Sequence, residues 1–268
     1  MIKAIFFDLD DTLLWDQQSV KAAFKTTCKI AEDYYGVDSN KLEEAVRDVA
    51  RNLYTSYQTY SFTQMIGINP FEGLWGEFND DCEQFQILRQ LVPQYRKDAW
   101  TFGLKEIGID DEQLGHKLAE TFPIKRKKHP YIYEDTYPVL NQLKDHYRLL
   151  LLTNGSPSLQ KTKLSLTPEL IPYFEQIVIS GDYGKGKPDL GIFHHALSLM
   201  ELNTNEVIMV GDNLNTDILG ANRVGIQSIW INREQKERNH IVPSFEINNL
   251  NELFSILTEL ENGSRIKS

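Results

Sequence analysis

Five short apolar, β-rich runs are spaced unevenly along this chain, and that spacing limits the folds open to it. KAIFFD, at 3–8, stands alone near the start, whereas RLLLLTN at 148–154, QIVISGD at 176–182, EVIMVGD at 206–212 and QSIWIN at 227–232 follow one another closely in the second half. Runs that are apolar nearly throughout fit strands buried on both faces, as in parallel sheets. The segments between the last four, at 158–174, 191–202 and 215–225, carry helical patterns of crossover length, the last closing on Gly225 as a helix C-cap. The alternation predicts an α/β fold, a doubly wound parallel sheet.

The first strand is separated from the second by residues 16–135, which hold no convincing strand. They read as amphipathic helices at 19–36, 40–60, 82–92 and 110–122, with turn signals at Gly36, Asn69-Pro70 and Pro123. A helix at 136–146 then runs into the second strand. The expected organisation is a core domain of residues 1–15 and 136–268 carrying an inserted all-helical domain of residues 16–135. A closing helix is expected over NNLNELFSILTEL, and a frayed tail over ENGSRIKS, at 261–268.

Charge narrows the function. With 28 Lys and Arg against 38 Asp and Glu, the 268-residue chain has a formal charge of −10, so no electrostatic footprint for a nucleic-acid polymer exists at whole-chain level. Cys28 and Cys82 lack CxxC spacing and read as free thiols. No run approaches the roughly 20 apolar residues of a membrane span, and the N-terminus shows no secretory leader. A cytoplasmic protein, monomeric by default, is expected.

The strand ends carry the chemistry. FFDLDDTLL places Asp8, Asp10 and Asp11 directly after the first apolar run. In open parallel sheets ligands bind beyond the carboxyl ends of the strands, where strand order reverses. Asp8, Thr153-Asn154, Asp182 and Asp212 all fall at such ends, and Lys187 follows the third strand in a Gly-rich loop. Converging carboxylates cannot all stay ionised and unpaired when buried. Oxygen donors without His or Cys favour Mg2+, which takes one or two carboxylates and keeps open positions for waters and phosphate. Asp8 and Asp212 are the expected side-chain ligands, with Asp10 contributing its backbone carbonyl.

Together FFDLDDTL, LLLTNG, the Lys187 of GKGKPD, and GDNLNTD resemble the four signature motifs of the haloacid dehalogenase-like (HAD) hydrolases, in the family's order; the insertion after the first resembles its type-1 helical cap. The resemblance implies a Mg2+-dependent phosphomonoester hydrolase working through an aspartyl-phosphate on a small soluble phosphometabolite. It implies Asp8 as nucleophile, Asp10 as general acid/base, Thr153 as phosphate-binding hydroxyl, Lys187 as charge partner and Asp212 as metal carboxylate. Backbone N–H groups of Leu9, Asn154 and Gly155 would add phosphate donors. Asp217 would support Lys187 or the metal waters, and Asp11 would serve a turn or cap. Asp10 argues against a dehalogenase; a sugar-phosphate mutase and a non-catalytic phospholigand-binding protein remain alternatives. The stretch at 211–232 is similar to the branch of pyrimidine nucleotidases and N-acylneuraminate-9-phosphatases, which suggests a nucleoside 5′-monophosphate or a phosphorylated sugar acid.

Other features read more simply. His194-His195 is expected on a helix surface, the basic run KRKKH at 125–129 as a solvated face or linker, and Arg47 and Arg51 as surface charge. Tyr54, Tyr57, Tyr60, Phe62, Phe71 and Trp75 are expected mostly in helix packing.

Overall fold

A computed structural model describes residues 1–265. The contacts divide the chain into two compact units: one holds Met1–Trp15, Ile132–Gly155 and everything from Thr167 onward, the other Asp16–Tyr131 and Ser156–Leu166. The strands are β1 (Ala4–Phe7), β2 (Arg148–Thr153), β3 (Gln176–Ile179), β4 (Val207–Gly211), β5 (Gln227–Ile231) and β6 (Phe245–Ile247). Helices α1 (Asp16–Tyr35), α2 (Ser39–Ser56), α3 (Tyr60–Ile66), α4 (Pro70–Gly73), α5 (Glu83–Glu106) and α6 (Glu112–Lys127) lie between β1 and β2, followed by α7 (Thr136–Leu143). Beyond β2 come α8 (Pro157–Leu166), α9 (Ser180–Tyr183), α10 (Leu190–Met200), α11 (Leu219–Val224) and α12 (Leu253–Arg265).

In the first unit the strands form one parallel sheet in the order β3-β2-β1-β4-β5-β6. The chain winds outward from β1 through β2 to β3, then returns to the other side of β1 with β4, so strand order reverses between β1 and β4. All four residues of β1 are buried, as the unbroken apolar run requires. Ala4 and Phe6 share one face with Leu150, Leu152, Val207 and Met209, and that face packs on Ile192, Phe193, Ala196 and Met200 of α10. The sixth strand was not foreseen: three residues at the sheet edge are too short to show a period. Gly225 ends α11 at φ 80°, the left-handed cap its sequence promised. The C-terminal helix runs to Arg265, beyond the expected start of the frayed tail, since the helical pattern continues through Glu259 and Leu260; residues 266–268 of that tail lie outside the described residues.

The second unit is all helical. On α2, Leu42, Val46, Ala50 and Tyr54 recur every fourth residue and form the buried stripe, and the Asp38 side chain accepts the Asn40 N–H to cap the helix. Phe24, Trp100 and Phe122 pack as an aromatic centre, with Phe24 and Phe122 centroids 4.6 Å apart. Tyr54 and Trp75 are buried in this core, and Tyr57, Tyr60, Phe62 and Phe71 pack against it. Two prolines depart from expectation. Pro123, read as a turn, lies inside α6, and Pro93 lies inside α5. Interior proline costs a helix about 3 kcal/mol, and burial of Phe122 and Arg126 on one side of α6, and of Val92, Tyr95 and Trp100 along α5, offsets it. The Asn69-Pro70 signal opens α4, where Asn69 and Glu72 form a reciprocal capping box.

Helix α8 belongs to this helical unit although its sequence lies between two strands. Its N-terminus is held by Asp80, which accepts from Ser156 Oγ at 2.6 Å, Ser158 N at 2.8 Å and Ser158 Oγ at 2.8 Å. Its Lys163, 3% exposed, donates to Glu72 at 2.9 Å and lies 3.8 Å from Asp16. Asp16 in turn pairs with Arg126, whose guanidinium lies over the Trp75 ring at 4.6 Å. This corrects the reading of KRKKH as a solvated run: its Arg126 is buried because Asp16 and Trp75 wait for it from other elements. Arg47 pairs with Glu43 and lies over Phe24 and Phe71, and Arg51 pairs with Asp48. His194 and His195 are exposed, His195 stacking on Tyr183.

Candidate active site

The reversal between β1 and β4 brings the acidic strand ends together. Oxygens of Asp8, Asp212 and Asp217 lie within 4.8 Å of one another. Asp8 follows β1 directly, and its N–H donates to the Val210 carbonyl at 2.9 Å, so the sheet ladder itself aims the residue. Asp212 follows β4, and the Trp230 indole of β5 donates to its carbonyl at 2.7 Å. Asp217 sits in a π-type turn over Leu214–Ile218 that folds back onto the strand. It approaches so closely that a Cβ on Gly211 would lie 2.3 Å from its Oδ2; the glycine before Asp212 is therefore a steric necessity.

Lys187 is the cation of this cluster. Its ammonium donates to Asp8 Oδ1 at 2.7 Å and to the Leu152 carbonyl at 2.6 Å, and it pairs with Asp217 Oδ1 at 2.7 Å. The loop bearing it is clasped by Asn154. The Asn154 amide donates to the Lys187 carbonyl at 2.9 Å and its oxygen accepts the Lys187 N–H at 2.8 Å. A side chain at Gly186 would meet that amide at 2.8 Å. Burial works against the charge on Lys187, but Asp217 and Asp8 outweigh it and hold its pKa above the usual range.

Asp8 and Asp212 are raised as well, which in a carboxyl favours the neutral form. Burial, the largest effect, raises Asp8 to about 7; Asp217 and Asp10 add to it against the pull of Lys187. Burial, followed by Asp8, Asp217 and Asp11, holds Asp212 well above the ordinary carboxylate range. Three carboxylates against one ammonium leave a formal excess of 3 − 1 = 2 negative charges. A divalent cation with oxygen preference matches that excess in charge and in donor type.

The other expected residues take varied places. Asp10 is partly buried on the turn after β1, and Thr153 is buried at the end of β2, its hydroxyl 3.4 Å from the Asn154 carbonyl. Leu9 is buried, and its carbonyl accepts from Leu13 N and Leu14 N, closing the turn after β1. Asp217 pairs with Lys187 through Oδ1 and accepts from Asn213 N at 3.1 Å through Oδ2. Asp182, at a strand end by sequence, lies in α9. Gly155 requires a correction as a phosphate donor. Its N–H already donates to Ser180 Oγ at 2.8 Å in a buried position, and its φ of 141° serves that turn. Asp11 adopts φ 58°, a left-handed turn that Asp tolerates better than most residues.

Thr12 went unnoticed in the sequence. Its hydroxyl donates to Asp8 Oδ2 at 3.2 Å and accepts the Asp212 N–H at 3.1 Å, joining the two acidic strand ends. Its place two residues beyond Asp10 was the only available signal.

The haloacid dehalogenase-like hydrolase family matches residues 2–225. The phosphoserine phosphatase of Thermus thermophilus is 30% identical over 94% of this chain and 98% of its own length. The N-acylneuraminate-9-phosphatase of Mus musculus is 24% identical over 97% of this chain and 95% of its own. Among solved structures, the HAD-hydrolase YfnB of Bacillus subtilis bound to magnesium superposes with a TM-score of 0.66 over 96% of this chain and 98% of that one, at 20% identity, a likeness of fold. The chain belongs to the haloacid dehalogenase-like hydrolases and is an enzyme of their phosphatase kind. Among the described residues no helix is long and apolar enough to cross a membrane.

Proposed function

We propose that the protein is a Mg2+-dependent phosphomonoester hydrolase that forms an aspartyl-phosphate on Asp8. The observation that carries this reading is the Asp8 carboxylate held by Lys187 inside a buried acidic cluster two charges short of neutrality. In this reading Asp8 and Asp212, with the Asp10 carbonyl, hold the ion. Bound there, Mg2+ would offset negative charge on the carboxylates and on the substrate phosphoryl oxygens.

The chain's own groups then divide the work. Lys187 fixes Asp8 Oδ1 and Thr12 fixes Oδ2, so the nucleophile is oriented before substrate arrives. Asp8 attacks phosphorus and the ester oxygen leaves with a proton from the Asp10 carboxyl. Asp10 next takes a proton from the water that attacks the aspartyl-phosphate, and phosphate departs with Asp8 regenerated. Thr153 and the backbone N–H groups of Leu9 and Asn154 are the phosphate-binding donors of this scheme; Gly155, its N–H engaged by Ser180, is left out. Asp217 keeps Lys187 charged and in place.

The helical unit corresponds in this reading to a cap domain, the part that would select the leaving group. A small phosphorylated metabolite is the proposed substrate class. Support for the phosphoester comes from relatives named as phosphatases over nearly the whole chain, and the resemblance at 211–232 adds nucleoside 5′-monophosphates to the candidates. The test is phosphate release from a panel of phosphoserine, sugar and sugar-acid phosphates, nucleoside 5′-monophosphates and an aryl phosphate, with Mg2+ and with EDTA. Metal-dependent release from a narrow subset is expected. A folded protein that releases phosphate from no member would overturn the reading in favour of a mutase or a binding role.

A further inference from the structure

Arg233, in the loop after β5, makes contacts in the sheet unit that the proposed chemistry does not call on. Its side chain is 13% exposed and forks onto Asp135: Nη1 donates to one carboxylate oxygen at 3.0 Å and Nη2 to the other at 2.9 Å. The same Nη2 donates to the Thr12 carbonyl at 3.0 Å. The guanidinium also lies over Tyr133, its central carbon 3.7 Å from the ring centroid, and Tyr133 stacks on Trp15 at 5.2 Å and 18°. Asp135 is itself anchored by the Leu250 N–H at 2.7 Å. One planar cation thus joins the turn after β1 to the residues that precede α7.

We infer that Arg233 is a positioning residue for the nucleophile, acting through Thr12. The inference rests on the proposed role of Asp8 and deepens it. Thr12 meets Arg233 with its carbonyl, and Asp8 and the Asp212 N–H with its hydroxyl. Fixing the peptide of Thr12 therefore fixes the hydroxyl that holds Asp8 Oδ2. The turn is a place where such a brace acts: Asp11, immediately before Thr12, sits in the left-handed region at φ 58°, and Leu13 N and Leu14 N bonding to Leu9 O, with Thr136 Oγ1 and Tyr133 N on Leu13 O, close it from the other side. Lysine cannot substitute. A single ammonium cannot fork onto Asp135, reach the Thr12 carbonyl and cover the Tyr133 ring together.

The test is Arg233→Lys, with Asp135→Asn as a second variant that leaves the arginine in place but removes the carboxylate it forks onto. Turnover of the best panel substrate and backbone hydrogen exchange in the segment 7–15 are followed in the full-length protein, with Mg2+. For Arg233→Lys the expected result is kcat lower by about tenfold to a hundredfold, KM within about threefold, and faster exchange at Leu13 and Leu14. Exchange in the helical unit should stay at the wild-type rate, and Asp135→Asn should shift kcat in the same direction. A merely structural arginine would lower thermal stability and leave kcat per folded molecule unchanged. Wild-type kcat in Arg233→Lys, or unaltered exchange at Leu13 and Leu14, would overturn the inference. If the wild type itself turns over nothing, the phosphatase reading fails, and unchanged exchange in the variant separately refutes the brace.

Discussion

Two groups of buried charge among the described residues are built on opposite rules. In the helical unit Asp16 and Glu72 face Arg126 and Lys163, two negative charges against two positive, each with a partner from another helix or loop. In the sheet unit Asp8, Asp212 and Asp217 face Lys187 alone. The first group balances itself and needs nothing further to be stable. The second is left two charges short, and burial pushes its Asp8 and Asp212 carboxyls up. Both groups are conspicuous as buried charge; the unbalanced one has an unmet requirement that a cation can fill.

Four substitutions press on that contrast. The largest effect belongs to Asp8→Asn, which should lower phosphate release by at least about 10³-fold while the circular dichroism spectrum stays that of the wild type; retained Mg2+-dependent turnover would break the assignment. Next comes Lys163→Met in the balanced group, which leaves Glu72 buried without its cation and should cost about 3 kcal/mol in urea unfolding. The double variant Lys163→Met/Glu72→Gln should recover most of that loss, because neutrality returns. A single loss with no recovery would mean the pair is held by something other than charge balance.

The third concerns pH. A carboxyl raised in the folded state, here Asp8 at about 7 against 3.8 when exposed, binds its proton more tightly folded than unfolded, so it penalises folding as pH rises from about 4 through 7 and is neutral below. In EDTA, Asp8→Asn should therefore be indistinguishable from wild type near pH 4 and more stable near pH 8, with Mg2+ reducing the difference. Equal stability at both pH values would show that the cluster tolerates its charge unaided. The smallest effect is a control distant from both groups. Glu201 ends α10 at φ 52°, and Glu201→Gly should add about 0.5–1 kcal/mol without touching turnover.

Much of the sheet unit could be read before any coordinate. Five of the six strands announce themselves because a strand buried on both faces must be apolar throughout, and the strand ends then locate Asp8, Thr153 and Asp212. Lys187 was legible only with its motif. Arg233 and Ser180 were not, since each acts through a partner 25 to 221 residues away, and Thr12, though near Asp8, also bonds to Asp212 200 residues on; no local period marks such pairs. Arg126 failed for the same reason: within KRKKH it looks like one solvated cation among several, and only the fold supplies Asp16 and Trp75. Pro123 misled in the opposite sense, as a local signal overruled by burial along the same helix.

The most direct test of the account is to catch the intermediate. The protein is mixed with its best phosphoester and Mg2+, quenched in acid within the first turnover, digested, and the peptide bearing Asp8 is examined by mass spectrometry. A phosphoryl group on Asp8, absent with EDTA and absent from Asp8→Asn, is the predicted result. Rapid phosphate release with Asp8 unmodified at every quench time, together with an active Asp8→Asn, would contradict it.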